Sequence, residues 1–272
     1  MKIKNKLLTL LLGAVGLAVG LTPGQSGATT ITSGIGYITL GFRADGSNTA
    51  YLVNLGNSTV FTGAVANSVT TLSLGNLGVD LQNTFGNGGN WYDRADLYWG
   101  VFGTSNSGNP NLYASKARTD VNTPGTPWPN LSGSLTDRQN TANQISNVTA
   151  SFNGQTATAN SNVAWVQSGV SGAASYAVQV GTPSVTDFGS TSQWTSIEGS
   201  FASGTSGTVL DFFRVPNGNV NGGVPSNLGS FSISNSGNVT FSAVPEPSTY
   251  VLLAIAGTFF MVFVRRRKTL NS

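Results

Sequence analysis

The sequence of 272 residues contains neither cysteine nor histidine. Without cysteine the chain has no disulfide framework and no thiol nucleophile, and without both residue types it has no zinc site of the usual Cys and His composition. The missing histidine also excludes a Ser-His-Asp arrangement and removes the commonest general acid or base. The stability of the fold therefore has to come from its hydrophobic core.

Charged residues are scarce, at 8% of the sequence, and they are unevenly placed. The formal net charge is +3 and the isoelectric point is near 9.3. Three of the 13 cations lie in residues 1–28 and four lie in residues 244–272, so residues 29–243 hold six cations and nine acidic residues, a net charge of −3. Because this middle part has no positive excess, we do not expect nucleic acid as a partner.

The N-terminal residues have the layout of a secretory signal peptide. Three lysines among the first six residues form a positive region, and residues 7–21 are an apolar stretch rich in Leu, Gly, Ala and Val. Small residues up to Ala28 then offer a cleavage site before Thr29. We predict a signal peptide over residues 1–28, with an uncleaved membrane anchor as the alternative.

The C-terminal residues combine a proline motif, an apolar run and a basic cluster in that order. Residues 244–249 read VPEPST, residues 250–264 carry no charge, and residues 265–272 begin with four adjacent cations. Each proline lacks an amide proton and restricts the residue before it, so we expect the motif to be extended and accessible to an enzyme. The motif residues are Val244, Pro245, Glu246 and Pro247, and the basic residues are Arg265, Arg266, Arg267 and Lys268.

The apolar run at residues 250–264 is predicted to be a short transmembrane helix. Its 15 residues span roughly 22 Å as a helix, against a hydrocarbon thickness of about 30 Å. Local thinning of the bilayer and snorkelling of the arginines compensate for this mismatch at modest cost. A buried core helix is the alternative, but four cations directly after the run follow the positive-inside rule.

Together these three features resemble the PEP-CTERM sorting signal of exported bacterial envelope proteins. The resemblance covers only the tail, where Pro245-Glu246-Pro247, the apolar run and the arginine cluster all match. It implies that an exosortase, a membrane-embedded cysteine enzyme, recognises the motif and removes the helix, so the motif residues are substrate rather than catalysts. The protein is then expected in the inner membrane before processing, and at the cell surface or outside the cell afterwards.

Residues 29–243 show the pattern of a single all-β domain. Short β-branched and aromatic runs alternate with turn signals, and several runs alternate polar and apolar side chains, as strands with one buried face do. The spacing favours a β-sandwich or jelly roll, and helical periodicity predicts two short helices near residues 76–85 and 134–153. The predicted strands are residues 35–42, 51–55, 59–62, 69–74, 97–102, 112–117, 162–166, 176–180, 209–214, 229–233 and 238–242.

Paired carboxylates are the enzymatic chemistry that this composition leaves open, because glycosidases work with two acidic residues. The candidates are Asp93, Asp96, Glu198 and Asp211, and the first two lie among tryptophans and tyrosines that suit a sugar cleft. We favour the alternative that the acids are solvated or ion-paired while the aromatic residues fill the core. No spacing here encodes a catalytic geometry, so we predict no catalytic residue.

Two further features are weak indications of ligand sites. Asn87, Asn90, Asp93 and Asp96 place oxygen atoms in a glycine-rich loop, which suits calcium, although Asn and Asp also favour turns for backbone reasons. Trp128 lies in a proline-rich segment, where it either stacks on a sugar ring or closes one end of the sandwich. Neither feature is sufficient to predict a metal site or a cofactor.

The sequence thus predicts an exported protein of the cell envelope or extracellular matrix, of the kind found in biofilms. Its domain is expected to be structural or adhesive and not an enzyme, with extracellular polysaccharide as a candidate contact. The expected processing partner is an exosortase, and the membrane is a partner before processing. The alternative is a secreted carbohydrate-active enzyme that uses paired carboxylates.

Overall fold

The computed structural model describes residues 29–106, 108, 110–118, 135–181, 188, 197–201, 208–216 and 225–244. The predicted signal peptide, Trp128 and residues 245–272 lie outside these ranges. Among the helices of the described ranges, none is both long enough and apolar enough to cross a membrane.

The described chain is mostly β structure, as predicted. The strands are β1 (Tyr37–Ala44), β2 (Ala50–Asn57), β3 (Val69–Thr71), β4 (Leu97–Thr104), β5 (Leu112–Ala117), β6 (Ala164–Gln167), β7 (Glu198–Ser200), β8 (Val209–Val215), β9 (Ser226–Ile233) and β10 (Val239–Ala243). The helices are α1 (Thr59–Thr62), α2 (Leu77–Phe85), α3 (Leu135–Phe152) and α4 (Tyr176–Gly181). Short 3₁₀ turns lie at Trp91–Asp93 and Gly172–Ala174.

The described strands form one antiparallel sheet in the order β3-β10-β9-β8-β5-β4-β1-β2-β6. Strand β4 pairs with two strands along the same edge. Its C-terminal half pairs with β5 and its N-terminal half pairs with β7. The prediction of an all-β fold is confirmed at this level, and its finer form as a sandwich or jelly roll stays a prediction.

Apolar side chains cover both faces of the sheet. On one face Phe42 and Trp99 pack with Leu81 of α2 and with Phe61 of α1. On the other face, residues such as Phe102 contribute to a second cluster that includes the buried side of α3 and α4. Because consecutive residues of a strand point to opposite faces, burial of both faces makes β1 almost continuously buried rather than alternating.

The sheet is curled, and the segment between β3 and α2 links its two ends. The Leu72 amide donates a hydrogen bond to Val239 O of β10 at 2.9 Å, and the Asn76 amide donates to Asn160 O at 2.7 Å. Asn160 precedes β6, which is the strand at the other end of the sheet order. Short backbone bonds therefore hold together two strands that lie far apart in that order.

Most sequence-predicted elements are confirmed, but two predicted strands are wrong. Residues 59–62 form α1, because the Asn57 side chain accepts a hydrogen bond from the Thr59 amide at 3.0 Å and the helical turn buries Phe61. Residues 176–180 lie in α4, where Tyr176, Ala177 and Val180 are buried at helical spacing. In a window of four or five residues, an apolar pattern fits both the helical period and the strand period, so tertiary contacts decide which structure forms.

Candidate functional site

The last described strand, β10, leads directly into the predicted sorting motif. The Ala243 amide donates a hydrogen bond to Ser68 O at 2.9 Å, and the Val244 amide donates to Leu228 O at 3.3 Å. Pro245 is the next residue, and it lies outside the described residues together with Glu246, Pro247, the apolar run and the basic cluster. The motif therefore begins at the residue where the hydrogen-bonded sheet ends, with no linker between them.

The chain is also tied to the fold at its first described residue. Thr29 O accepts a hydrogen bond from the Ala157 amide at 2.9 Å, and the Ile31 amide donates to Gln155 O at 2.9 Å. Ala28, the other residue of the predicted cleavage site, lies outside the described residues. Loss of residues 1–28 would leave these bonds in place, and the cleavage itself stays a prediction.

Glu198, one of the four candidate catalytic acids, is buried in an ion pair with Arg43. The Arg43 guanidinium donates from Nη2 to Glu198 Oε2 at 2.7 Å and from Nε to Oε2 at 3.0 Å, and the Tyr176 hydroxyl donates to Oε1 at 2.8 Å. The Glu198 side chain is 0% exposed. Its carboxylate is therefore committed to two internal donors and is not presented to a substrate.

Two glycines on neighbouring strands create the space for this network. Gly41 of β1 stands opposite Gly100 of β4, which in turn stands opposite Glu198 of β7. A Cβ atom on Gly41 would lie 2.6 Å from the ring of Tyr176, and one on Gly100 would lie 3.1 Å from its hydroxyl oxygen. The Tyr176 ring therefore packs directly against the backbone of Gly41 and Gly100. The Phe102 ring stacks on the Tyr176 ring, with 5.2 Å between the ring centroids.

Asp211 is likewise buried and paired with an arginine. Arg118 donates from Nε to Asp211 Oδ1 at 2.8 Å, and the Asp211 side chain is 0% exposed. Lys116 stands opposite Asp211 across strands β5 and β8, and burial lowers the pKa of this lysine. The interpretation of these acids as ion-paired residues is confirmed for Glu198 and Asp211.

Asp93 and Asp96 lie at the surface around the 3₁₀ turn and have local partners. The Asn90 side-chain amide donates to Asp93 Oδ2 at 2.8 Å, and Arg94 Nη2 donates to Asp96 Oδ2 at 2.6 Å. The hydrogen bond and ion pair with Arg94 lower the pKa of Asp96. The neighbouring Trp91 is a core residue, with 2% of its surface exposed. Local ion pairing and an aromatic core are therefore confirmed here as well.

The glycine-rich loop that contains Asn87, Asn90, Asp93 and Asp96 is the segment that weakly indicated a calcium site in the sequence. The carboxylate oxygens of Asp93 and Asp96 accept hydrogen bonds from neighbouring side chains. In the part of the chain that the structure describes, no cluster of three or more His, Cys, Asp or Glu side chains is suited to hold a metal ion. Asn87 adopts a positive φ of 28°, which is consistent with a turn role for this residue.

Sequence reasoning missed a third buried acid, Asp80 of α2. Its carboxylate accepts hydrogen bonds from the Tyr51 hydroxyl at 2.7 Å, from the Asn160 amide at 2.8 Å and from the Thr158 hydroxyl. Burial, and then the hydrogen bond to Asp80, raise the pKa of Tyr51 far above its ordinary value of 10.0. The available signal was periodicity, because Asp80 falls between Leu77 and Leu81 on the apolar face of the helix.

Comparison with known proteins identifies the C-terminal segment. Residues 243–268 match the family model of the PEP-CTERM protein-sorting motif. This stretch includes the proline motif, the apolar run and the four basic residues. No curated protein and no solved structure shows significant similarity to the chain. The chain therefore carries a PEP-CTERM protein-sorting motif, the signal of exosortase substrates, directly after its described β-rich fold.

Proposed function

We propose that this chain is an exported envelope or matrix protein whose β-sandwich-type domain has a structural or adhesive role and no catalytic one. The observation that carries the proposal is the sorting motif at residues 243–268, which starts where the sheet ends at Val244. The described fold is then the domain that the sorting signal directs to the cell envelope. An exosortase separates it from the membrane segment, and the domain acts at the cell surface or in the matrix outside it.

The non-catalytic part of the proposal rests on the candidate carboxylates. A general acid, a general base or a nucleophile has to reach the substrate. Glu198 and Asp211 are buried and ion-paired, and Asp96 pairs with Arg94. The remaining candidate, Asp93, is exposed and accepts a hydrogen bond from the neutral side chain of Asn90. The alternative function, a carbohydrate-active enzyme, therefore depends mainly on Asp93.

Mass spectrometry of the protein from its own host tests the sorting step. We expect the mature form to begin at Thr29 and to lack residues 250–272. A variant with Pro245→Ala and Pro247→Ala should stay in the membrane fraction at full length, because it lacks the extended motif. Recovery of an intact C-terminal peptide from the surface-exposed wild-type protein would contradict processing.

Hydrolysis assays on a panel of polysaccharides test the absence of catalysis. We expect no turnover by the wild-type protein. Turnover that is lost in Asp93→Asn and retained in Asp45→Asn would establish the enzyme alternative. Asp45 is a matched control because its carboxylate is also exposed at the surface, with 64% of the side chain accessible.

A further inference from the structure

A groove of about 390 Å³ lies where α2, the 3₁₀ turn at Trp91–Asp93 and the turn between β9 and β10 meet. Its lining includes the side chains of Asn76, Gln82, Asn83, Tyr92, Asn235 and Ser236. The buried Trp91 and the exposed Val79 add apolar surface. Among the described residues, none that lines the groove is charged, although the charged residue Asp93 directly follows Tyr92 in the sequence.

The walls of the groove are fixed by close contacts. Gly78 of α2 lies against the backbone at Ser236, and a Cβ atom on either Gly78 or Gly237 would overlap the other segment. Gly237 also has a φ of +82°, a conformation that favours glycine. The Gln82 side chain joins α2 to the 3₁₀ turn, since it donates to Gly89 O at 2.8 Å and accepts from the Trp91 amide at 3.3 Å. The groove is therefore preformed.

Two amide side chains at the groove have unused hydrogen-bonding capacity. Asn83 and Asn235 are exposed, and within the described part of the chain neither side chain has a hydrogen-bond partner. Each amide offers two donors and one acceptor. Asn83 also occupies an exposed helical position, where asparagine is less favourable than alanine by several tenths of a kcal/mol. Helix stability therefore does not account for its presence.

An aromatic corner lies beside these amides. The half-buried ring of Tyr92 stands at 84° to the Trp91 indole, with 5.6 Å between the ring centroids. Binding sites for small ligands combine apolar surface of this kind with a few polar groups that fix orientation. A neutral sugar has matching chemistry, because its hydroxyls both donate and accept while one ring face presents C–H groups. A charged polymer finds no opposite charge on these walls.

We propose that this groove binds a short segment of a neutral polysaccharide, with a sugar ring on Tyr92 and its hydroxyls on the amides of Asn83 and Asn235. The proposal rests on the adhesive role given under Proposed function and supplies the ligand class for it. The groove lies at the end of α2 and the turn before β10, so the ligand would be held by the same part of the sheet that leads into the sorting motif.

Isothermal titration calorimetry on the full-length chain tests the proposal, in a zwitterionic detergent that carries no sugar. The probes are hexasaccharides of β-1,3-glucan, β-1,4-glucan, α-1,4-glucan and mannan, with a hexauronate for comparison. We expect at least one neutral hexasaccharide to bind and the hexauronate not to bind. Asn83→Ala and Tyr92→Leu should each weaken the binding about tenfold, the size expected for one lost polar or aromatic contact.

Matched variants control for the fold. Asn48→Ala removes another exposed amide and Tyr37→Leu another half-buried ring, both away from the groove, and both should bind like the wild type. Asn83→Ala should also unfold at the wild-type temperature or above it, because alanine favours the helix. Loss of binding in this variant then reports on the groove rather than on stability.

The outcomes separate this proposal from the proposed function. Absence of binding to every neutral probe, a preference for the hexauronate, or wild-type affinity in Asn83→Ala and Tyr92→Leu would overturn the groove assignment, and normal processing would still support an exported protein. Hydrolysis of a bound probe would instead overturn the non-catalytic role and leave the binding site standing.

Discussion

Replacement of Glu198 by glutamine isolates the charge of the most buried ion pair in the described part of the chain. The substitution keeps the shape of the side chain and an acceptor oxygen for the Tyr176 hydroxyl, which donates to Glu198 at 2.8 Å. It removes the negative charge that balances the Arg43 guanidinium, whose side chain is 9% exposed. Arg43 is then left as a buried cation without its main partner.

The expected loss of stability is about 3 kcal/mol. Removing one partner of a buried pair costs roughly 3–5 kcal/mol, and two contacts place Glu198→Gln at the lower end. The Arg43 guanidinium lies 4.9 Å from the centre of the Tyr98 ring, and Asp45 offers a carboxylate at 3.6 Å. At roughly 2–4 °C per kcal/mol for a domain of this size, the unfolding temperature should fall by about 6–12 °C.

Thermal unfolding of the full-length protein, followed by circular dichroism, measures this effect. The double variant Arg43→Met, Glu198→Gln removes both charges and should be more stable than Glu198→Gln alone, because no unpaired charge stays buried. Asp96→Asn is the control at an exposed pair, where the Asp96 side chain is 47% accessible and the cost should be below about 1 kcal/mol.

Two results would refute this reasoning. A loss below about 1 kcal/mol in Glu198→Gln would show that the pair behaves like one at the surface. A double variant no more stable than Glu198→Gln would show that the unpaired charge of Arg43 is not the cause of the loss. Either result would also reopen the question of a role for Glu198 beyond stability.

Two further substitutions test other parts of the core. Because burial raises the pKa of Tyr51 above the 10.0 of an ordinary phenol, the unfolded state releases this proton first. The free energy of unfolding that the Tyr51–Asp80 bond contributes should then fall above about pH 10, by up to roughly 1.4 kcal/mol per pH unit. In denaturant titrations, the difference in unfolding free energy between the wild type and Tyr51→Phe should shrink over this range. A pH-independent advantage would contradict this. Gly41→Ala places a methyl group against the Tyr176 ring and should lower the free energy of unfolding by about 1–3 kcal/mol. The control Gly89→Ala should cost less, because a Cβ atom there would lie 4.0 Å from the Gly86 carbonyl oxygen. Equal losses in the two variants would contradict tight packing of Tyr176 against Gly41.

Several elements of the fold could be predicted from local patterns. Runs of β-branched and aromatic residues identified strands such as β4 and β8, and helical spacing identified α2 and α3 with nearly their observed bounds. The two helices each bury one consistent set of positions, so their periodicity is visible in the sequence. The prediction was wrong at residues 59–62 and 176–180, where four or five residues do not define a period.

The partners of the acidic residues could not be read from the sequence. Arg43 and Glu198 are 155 positions apart, and Arg118 and Asp211 are 93 positions apart. Glu198 lies in the three-residue strand β7, which the sequence did not predict. Local propensity contains no information about which distant cation faces a given carboxylate, because strand pairing sets that contact.

The sequence by itself determined the sorting motif and the β-rich class, because a linear peptide signal and a two-residue periodicity are both properties of consecutive residues. Tertiary structure alone decided that Glu198 and Asp211 are buried ion-paired residues. It also decided that Asn83, Tyr92 and Asn235 share one groove. These residues come from a helix, a 3₁₀ turn and a hairpin, and only the close contact of α2 with the turn before β10 brings them together.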